Sequence, residues 1–436
     1  MTRISEILHR KKAMKRRDVN IRLGFTLCSM AMPNFMLKDA FAALPGTVTW
    51  GGIYLLEDRP DVMPFTRRAL EMSKNDSPTG NSVNKTLLQE IRNTDWSGTG
   101  INLRTGLKKK ETRYGMVFGL ASEKVLAKVY LPSIDSTQYI LRSFGYTTVY
   151  DIVERRIVSC IAVRARYFDN LPGKPDPAQM PTLFFNLLAN KDQPGSLTRF
   201  MIKEVKDYPF EEKYQGKYFQ VDPVIFSDLA LKNAASIGIS TESYGDDTGF
   251  AVTTSFSENL RSPLVPYRKT SAVNREMVSE MKIVSASGDS ALNTALQLKP
   301  ADCGMEITHE GWEFVITASS DTRNQVALVT RLSFRFYDKD SGKTFFNQSY
   351  YGKQEFVELI NFSIERKSRL FMLHETIIDM VFSGIWSEDV RGKVFDGEES
   401  KTKSQNTFIQ ADADDWDMFT VENDLVLSRL PRAFGS

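Results

Sequence analysis

Apolar side chains recur along this chain in two rhythms. Runs rich in β-branched and aromatic residues predict strands at 47–56 (TVTWGGIYLL) and 113–121 (RYGMVFGLA). Alternation predicts further strands at 124–131, 138–152 and 157–168, and the short gap Val153 to Arg156 fits an antiparallel hairpin between the last two. Helical spacing takes over between them. Residues 64–73 carry an apolar face, and Ser82 stands where a cap belongs before 83–93, whose Val83, Leu87, Leu88 and Ile91 share one side. Residues 179–190 and 196–206 also read as helices.

The second half repeats this alternation. Strands are predicted at 250–256, 281–285, 304–308, 312–319 and 325–337, with a short helix at 288–297. Asp338 to Lys343 reads as a turn and 344–351 as the returning strand. A long amphipathic helix is expected over 354–383, where Phe356, Leu359, Ile360, Ile364, Leu370, Leu373, Ile377 and Met380 fall on one broad face. Two pairs of marks suggest an internal duplication. Arg166-Tyr167-Phe168-Asp169 with Gly173 matches Arg335-Phe336-Tyr337-Asp338 with Gly342, and Val62-Met63-Pro64-Phe65 matches Leu264-Val265-Pro266-Tyr267.

The expected fold class is therefore α+β: two related domains of mainly antiparallel sheet with packed helices, at 43–205 and 223–386, joined by a polar linker at 206–222. Residues 387–412, rich in Glu, Lys, Ser, Gly and Gln, read as a flexible C-terminal tail. The chain then turns apolar at 416–430. Trp416, Phe419, Leu425 and Leu427 are the candidate contacts with a protein partner or a second copy.

Composition agrees with a globular body: 42% of the 436 residues are hydrophobic and 25% charged. The near balance of 56 basic and 54 acidic residues conceals an asymmetry. Residues 1–42 carry Arg3, Arg10, Lys11, Lys12, Lys15, Arg16, Arg17, Arg22 and Lys38 against Glu6, Asp18 and Asp39, which leaves the rest mildly acidic. Such a body has no general attraction for phosphate backbones, so no nucleic-acid partner is expected; the dense Lys108-Lys109-Lys110 triplet reads as a solvated loop.

The N-terminus has the parts of an export signal. A basic stretch at Arg10 to Arg17 precedes a moderately apolar one at 19–37, and Ala40-Phe41-Ala42 has the small-x-small form of a cleavage site. Arg22, Pro33 and Asn34 interrupt the apolar part too often for a membrane span, and no later stretch qualifies as one. Met14 to Val19, MKRRDV, resembles the twin-arginine signal of bacterial Tat substrates, with Arg16-Arg17 as the pair. No Ser or Thr precedes that pair, and Asn20 stands where an apolar residue is usual. The resemblance implies export to the periplasm and concerns the signal alone. The alternative is a cytoplasmic or structural subunit with a basic N-terminal arm.

Chemistry-bearing motifs are sparse. Beyond the signal, Cys160 and Cys303 permit one disulfide, although Cys160 lies in an apolar strand-like run that suits a buried thiol. No Cys/His cluster offers a zinc ligand set, and neither His309 nor His374 stands in an HExxH pattern. Gly342-Lys343-Thr344 carries the tail of a phosphate loop, but Tyr337 occupies the place of its leading glycine. Asp412, Asp414, Asp415 and Asp417 are the candidates for a metal site, without the glycine and closing Glu of a calcium loop. Asp246 and Asp247, in a stretch that reads as a turn, are the candidate acid–base pair. No cofactor is expected. The favoured reading is an exported envelope protein that binds or assembles with another protein or polymer; a carboxylate-using periplasmic hydrolase is the alternative.

Overall fold

Two long antiparallel meanders organise the molecule, and each has a short parallel strand at its side. The computed structural model describes residues 47–55, 63–72, 81–96, 102–104, 114–151, 156–190, 195–207, 217–260, 264, 265, 267, 279–283, 292–296, 301–359, 366–397, 399–402 and 405–430. All of them belong to one compact unit, Phe41–Ser436.

The first sheet has the order β2-β1-β3-β4-β5, from β1 (Thr47–Leu55), β2 (Asn102–Arg104), β3 (Tyr114–Leu131), β4 (Ser136–Asp151) and β5 (Arg156–Pro172). β1 runs parallel to β2 and β3, whereas β3, β4 and β5 are antiparallel neighbours. The runs 113–121 and 124–131 prove to be one strand with a register shift between Leu120 and Ser122. Both faces are covered, which is why apolar residues there are nearly continuous instead of strictly alternating. One face, with Met116, Phe118, Leu141 and Val163, packs on α1 (Pro64–Glu71), α2 (Val83–Asn93), α3 (Met180–Ala189) and α4 (Leu197–Asp207). Ser82 caps α2 as expected, accepting from the Lys85 amide at 3.3 Å. The opposite face, with Val117, Phe144, Tyr146 and Ala162, joins a second core.

That second core is shared with the other sheet. Its strands are β6 (Phe219–Val221), β7 (Ile225–Phe226), β10 (Cys303–Ser319), β11 (Arg323–Asp338), β12 (Thr344–Leu359), β13 (Glu399–Thr402) and β14 (Gln405–Ala411). They lie in the order β13-β14-β12-β11-β10-β6, with β7 also beside β10. β8 (Ser279–Ile283) and β9 (Leu292–Leu296) form a separate antiparallel pair. Between the sheets lie α6 (Thr241–Leu260), which closely follows α5 (Asp228–Ser236) in the chain, and the distant α7 (Arg366–Trp386). Phe250 of α6 stacks on Phe144 of β4 at 5.5 Å, and Phe256, two turns on, meets Phe219 of β6 at 5.0 Å. Phe382 of α7 packs on Phe334 and Phe336 of β11.

Several expectations are corrected here. Residues 250–256 are the middle of α6, not a strand. Every residue from Tyr244 to Ser257 in that helix is buried, so no polar face marks the helical period. Its glycines admit close neighbours: a Cβ on Gly249 would lie 2.4 Å from the Tyr267 ring. The helix expected over 354–383 starts only at Arg366, because 354–359 continue β12. Residues 292–296 of the expected helix 288–297 are strand β9. The runs 304–308 and 312–319 are one strand, bulged at Gly311, whose φ of 141° only glycine adopts readily.

The expected linker contains the end of α4 and, after 208–216, strand β6 with Phe219 wholly buried. The expected mobile tail is built into the body. Ser387 caps α8 (Glu388–Asp396), Gly397 ends it in the left-handed region, and β14 pairs with β12 from Tyr350↔Ala411 to Glu355↔Asn406. α9 (Trp416–Leu427) then buries Phe419 and Val426. The marks proposed for a duplication fall on different strands: Arg166 to Asp169 lie near the end of the third strand of one meander, and Arg335 to Asp338 end the second strand of the other.

Candidate binding site

Ser240, just before α6, and Ser243, Tyr244 and Asp247 of its first turns recur at helical spacing and line a cavity of about 250 Å³. Lys124, Val125 and Leu126 of β3 form a second wall, Lys367, Ser368 and Phe371 of α7 a third, and Gly238 and Ile239 complete it. Lys124 Nζ sits 2.9 Å from Asp247 Oδ2 and donates to Ser243 Oγ at 2.5 Å. Lys367 Nζ donates to the Gly238 carbonyl at 2.9 Å. Ser368 Oγ donates to the Leu126 carbonyl, which fixes the start of α7 against β3.

Behind Asp247 and Phe371 lies Arg142 of β4, fully buried. Its guanidinium carbon is 3.7 Å from the centre of the Phe371 ring and 4.8 Å from that of Phe144. One terminal nitrogen is 3.3 Å from Asp247 Oδ1, and the other 3.6 Å from Glu375 Oε1. Burial lowers its pKa, opposed by the two carboxylates. Glu375 is met from the other side by Arg166 and, at 3.4 Å, by Arg164. Arg164 in turn pairs with Glu258 and Asp379, each at 3.1 Å. Burial works against the Arg164 cation, but the three carboxylates hold its pKa above the ordinary value. Burial pushes Glu258 up to about 7. The seam between sheet and helices is thus a chain of alternating charge.

A neutral network lies beside it. Thr330 Oγ1 donates to the Gly311 carbonyl and stands 2.7 Å from His374 Nε2, so it accepts from that nitrogen. His374 Nδ1 then accepts from Tyr244 Oη at 2.7 Å. By the same reasoning Thr248 Oγ1 donates to the Tyr244 carbonyl and accepts from His309 Nε2 at 3.0 Å. The two imidazoles lie with centroids 4.7 Å apart, and Phe226 stacks on His309. Burial lowers His309 to about 3 and, with His309 as neighbour, holds His374 well below its ordinary range. The structure therefore brings together two histidines remote in sequence, but as neutral, hydroxyl-bound core groups.

The residues singled out from sequence are dispersed. Asp246 and Asp247 are helical, not in a turn, and face different partners: Asp246 accepts from Tyr267 Oη at 3.2 Å, while both oxygens of Asp247 meet cations. An acid so clamped is suited to holding charge in place more than to exchanging protons. Asp412 accepts from Arg331 at 2.8 Å, and Asp415 caps α9 through the Asp417 and Met418 amides. Asp414 and Asp417 are exposed. Among the described residues, no group of three or more His, Cys, Asp or Glu side chains is placed to hold a metal ion. Cys160 and Cys303 are both buried and free, and burial pushes the Cys160 thiol up to about 12.

Of the candidate partner contacts, Phe419 is buried, Trp416 and Leu427 pack partly against the core, and Leu425 is exposed. The exposed apolar stripe on α9 is Met418, Val421 and Leu425. The signal residues Arg16, Arg17, Ala40 and Ala42, and the triplet Lys108-Lys109-Lys110, lie outside the described residues. Sequence reading passed over Lys124, Arg142, Lys367 and Glu375. Arg142 had a signal, since it interrupts the apolar run of a strand otherwise built for burial.

No family model and no curated protein matches the chain. A solved structure, the hypothetical protein CT253 from Chlamydia trachomatis, aligns over 37% of this chain and 96% of its own, at 10% identity and a TM-score of 0.23. Among the described residues no helix is long and apolar enough to cross a membrane.

Proposed function

We propose that the protein is exported to the bacterial envelope and acts there by binding a partner protein through the outer face of α9. The observation that carries this reading is the stripe Met418, Val421 and Leu425, which spaces three large apolar side chains at i, i+3 and i+7 on a face of the helix turned away from the buried Phe419 and Val426. Exposed Asp414, Asp417 and Asp424 flank it. A partner that covers the stripe and complements its rim is an amphipathic helix with basic flanks. Export is supported by Arg16-Arg17 and Ala40-Phe41-Ala42, and the mass of the protein isolated from its native cells tests it: a chain beginning near Ala43 is the expected result.

The binding reading is tested with a photo-reactive amino acid placed at Val421 in intact cells, beside a control at Ile134, which is at least as exposed and lies in the turn between β3 and β4. The expected outcome is a discrete adduct at Val421 alone. The purified partner should then bind the wild-type protein and lose at least about tenfold in affinity against Val421→Asp. Equal labelling from both positions, or unchanged affinity in the variant, overturns the reading.

A further inference from the structure

β10 is protected along one half of its outer edge and bare along the other. β6 pairs with Cys303 to Met305, and β7 with Thr308 and His309. Ser227 Oγ then donates to the Glu310 carbonyl at 2.7 Å, and Asn233 Oδ1 of α5 accepts from the Trp312 amide at 3.2 Å. Outward backbone groups of the first sheet are met in the same way. Ser257 Oγ accepts from the Ala162 amide on β5, and Ser368 Oγ donates to the Leu126 carbonyl on β3, beyond its last pairing with β1.

Past Trp312 this protection stops. Trp312 turns its amide away from β11, so by the alternation of an antiparallel ladder Phe314 and Ile316 turn their N–H and C=O groups the same way. Among the described residues no hydrogen bond reaches those groups. The stretch Glu313-Phe314-Val315-Ile316-Thr317 has neither the lysine nor the proline that commonly blunts an edge. Val315 and Ile316 are 40% and 52% exposed, one on each face of the sheet.

A bare edge accepts another strand, and this one is complementary to itself. When two copies pair antiparallel about a two-fold axis at Val315, Phe314 of each lies opposite Ile316 of the other, and each such pair exchanges two backbone hydrogen bonds. The side chains match as well. On one face Ile316 stands beside the buried Val326 and, through it, Phe356; the pairing carries that apolar row into Phe314 and Leu328 of the second copy. On the other face Val315 meets its own counterpart. Glu313, the one charged residue of the stretch, falls opposite Thr317 instead of opposite itself. Arg323 opens β11 beyond that end of β10, with Asp321 further out in the turn. Neither Glu313 nor Arg323 has an ion pair among the described residues, so the acidic end of each strand is brought toward the basic start of the other copy's β11.

From this bare edge and its self-matching register we propose that two copies of the chain join edge to edge through Glu313 to Thr317 of β10, continuing the second sheet from one copy into the other. The contact is separate from α9, whose Glu422 lies against Asn347 at the opposite end of β12, so a partner on α9 and the dimer are independent of each other.

Sedimentation velocity of the full protein over a concentration series should show a monomer–dimer equilibrium. Val315→Cys places two thiols at the two-fold axis, where facing residues approach to about 4.5 Å between Cα atoms, within the range of a disulfide. Mild oxidation should link this variant into dimers. Val357→Cys, as exposed on the same face but two strands inward, and the wild type, with its buried Cys160 and Cys303, should not link. Ile316→Lys sets a charge against Phe314 of the second copy, and Ile316→Pro removes an outward N–H while keeping the ladder with β11. Each should weaken the dimer at least about tenfold. The proposal is overturned by a monomer throughout the series, by equal linking from Val315→Cys and Val357→Cys, or by a dimer that persists in both Ile316 variants when their melting matches the wild type. The result from Val315→Cys decides the matter if those two variants fail to fold.

Discussion

Arg142 lies 3.7 Å over the ring of Phe371, so a strand of the first sheet and a helix beneath the second are joined through one buried cation. The relationship explains why an arginine persists at an inward position of β4. Its flat charge satisfies Asp247 on α6 and Glu375 on α7 together, which a hydrocarbon cannot do. Removing it takes one of two cations from Asp247 and one of three from Glu375, and leaves both buried acids less compensated. Arg142→Ala is therefore expected to lower stability by about 3–5 kcal/mol, the usual consequence of breaking a buried charge arrangement from one side. The double variant Arg142→Met with Asp247→Asn removes charge from both sides and should recover part of that loss. Urea unfolding of the three proteins checks this, and a double variant no more stable than the single one contradicts it.

This seam was the part of the molecule least legible in the sequence. The strands of the first meander and α2 with its Ser82 cap follow from apolar rhythm and cap chemistry, because each has either a clear period or a polar signpost. α6 has neither. Its buried threonines, serines and glycines pack against two sheets at once, and β-branched residues there resemble a strand. The tail was misread for the opposite reason. Polar composition suggested mobility, although Ser387, Glu388, Asp389 and Gly397 form the start and stop signals of a short helix. Strand register also lies beyond local pattern. The repeat marks are matched in sequence yet sit on unlike strands, whereas the order β1-β3-β4-β5 has a counterpart in β6-β10-β11-β12 that no short motif announces. We propose a duplication on that shared order, with β3 equivalent to β10; profiles of the two halves from diverse relatives should align in that register.

Acid and base are expected to pull stability in opposite directions. Glu258 has its folded pKa raised to about 7 by burial, from an ordinary value of 4.5. Its contribution is complete below the unfolded value and is lost as pH rises through 7, because the folded state then holds an ionised, partly desolvated carboxylate. His309 is lowered to about 3 from 6.5, so its contribution is complete above 6.5 and declines as pH falls toward 3. Glu258→Gln should thus reduce the loss of stability between pH 5 and pH 8, by on the order of 1–2 kcal/mol after allowance for its partial exposure. His309→Gln should reduce the loss between pH 6.5 and pH 4.5, by about 2–3 kcal/mol. Thermal melting of each variant against wild type across pH 4.5–8 separates the two, and parallel curves in either window remove the residue concerned from the account.

The C-terminal region divides into a part that builds the fold and a part that faces outward, and the two can be separated experimentally. A chain ending at Trp386 loses α8, β13, β14 and α9 together. That leaves β12 without its neighbour β14 and uncovers the core that Val394, Ile409, Phe419, Val426 and Leu430 close. Each such side chain contributes roughly 1.5–3 kcal/mol when fully buried, so the sum exceeds the usual margin of a folded domain, about 5–15 kcal/mol. The truncated chain should aggregate on expression. Met418→Ser and Val421→Ser change side chains that are 65% and 57% exposed, and their melting temperatures should stay within about 2 °C of wild type. Light scattering and thermal melting of the three proteins decide the matter. A soluble, cooperatively melting truncation would place these elements outside the essential core. A large destabilisation by Val421→Ser would mean that the outer face of α9 is packed rather than presented, and the partner surface would then have to be sought elsewhere.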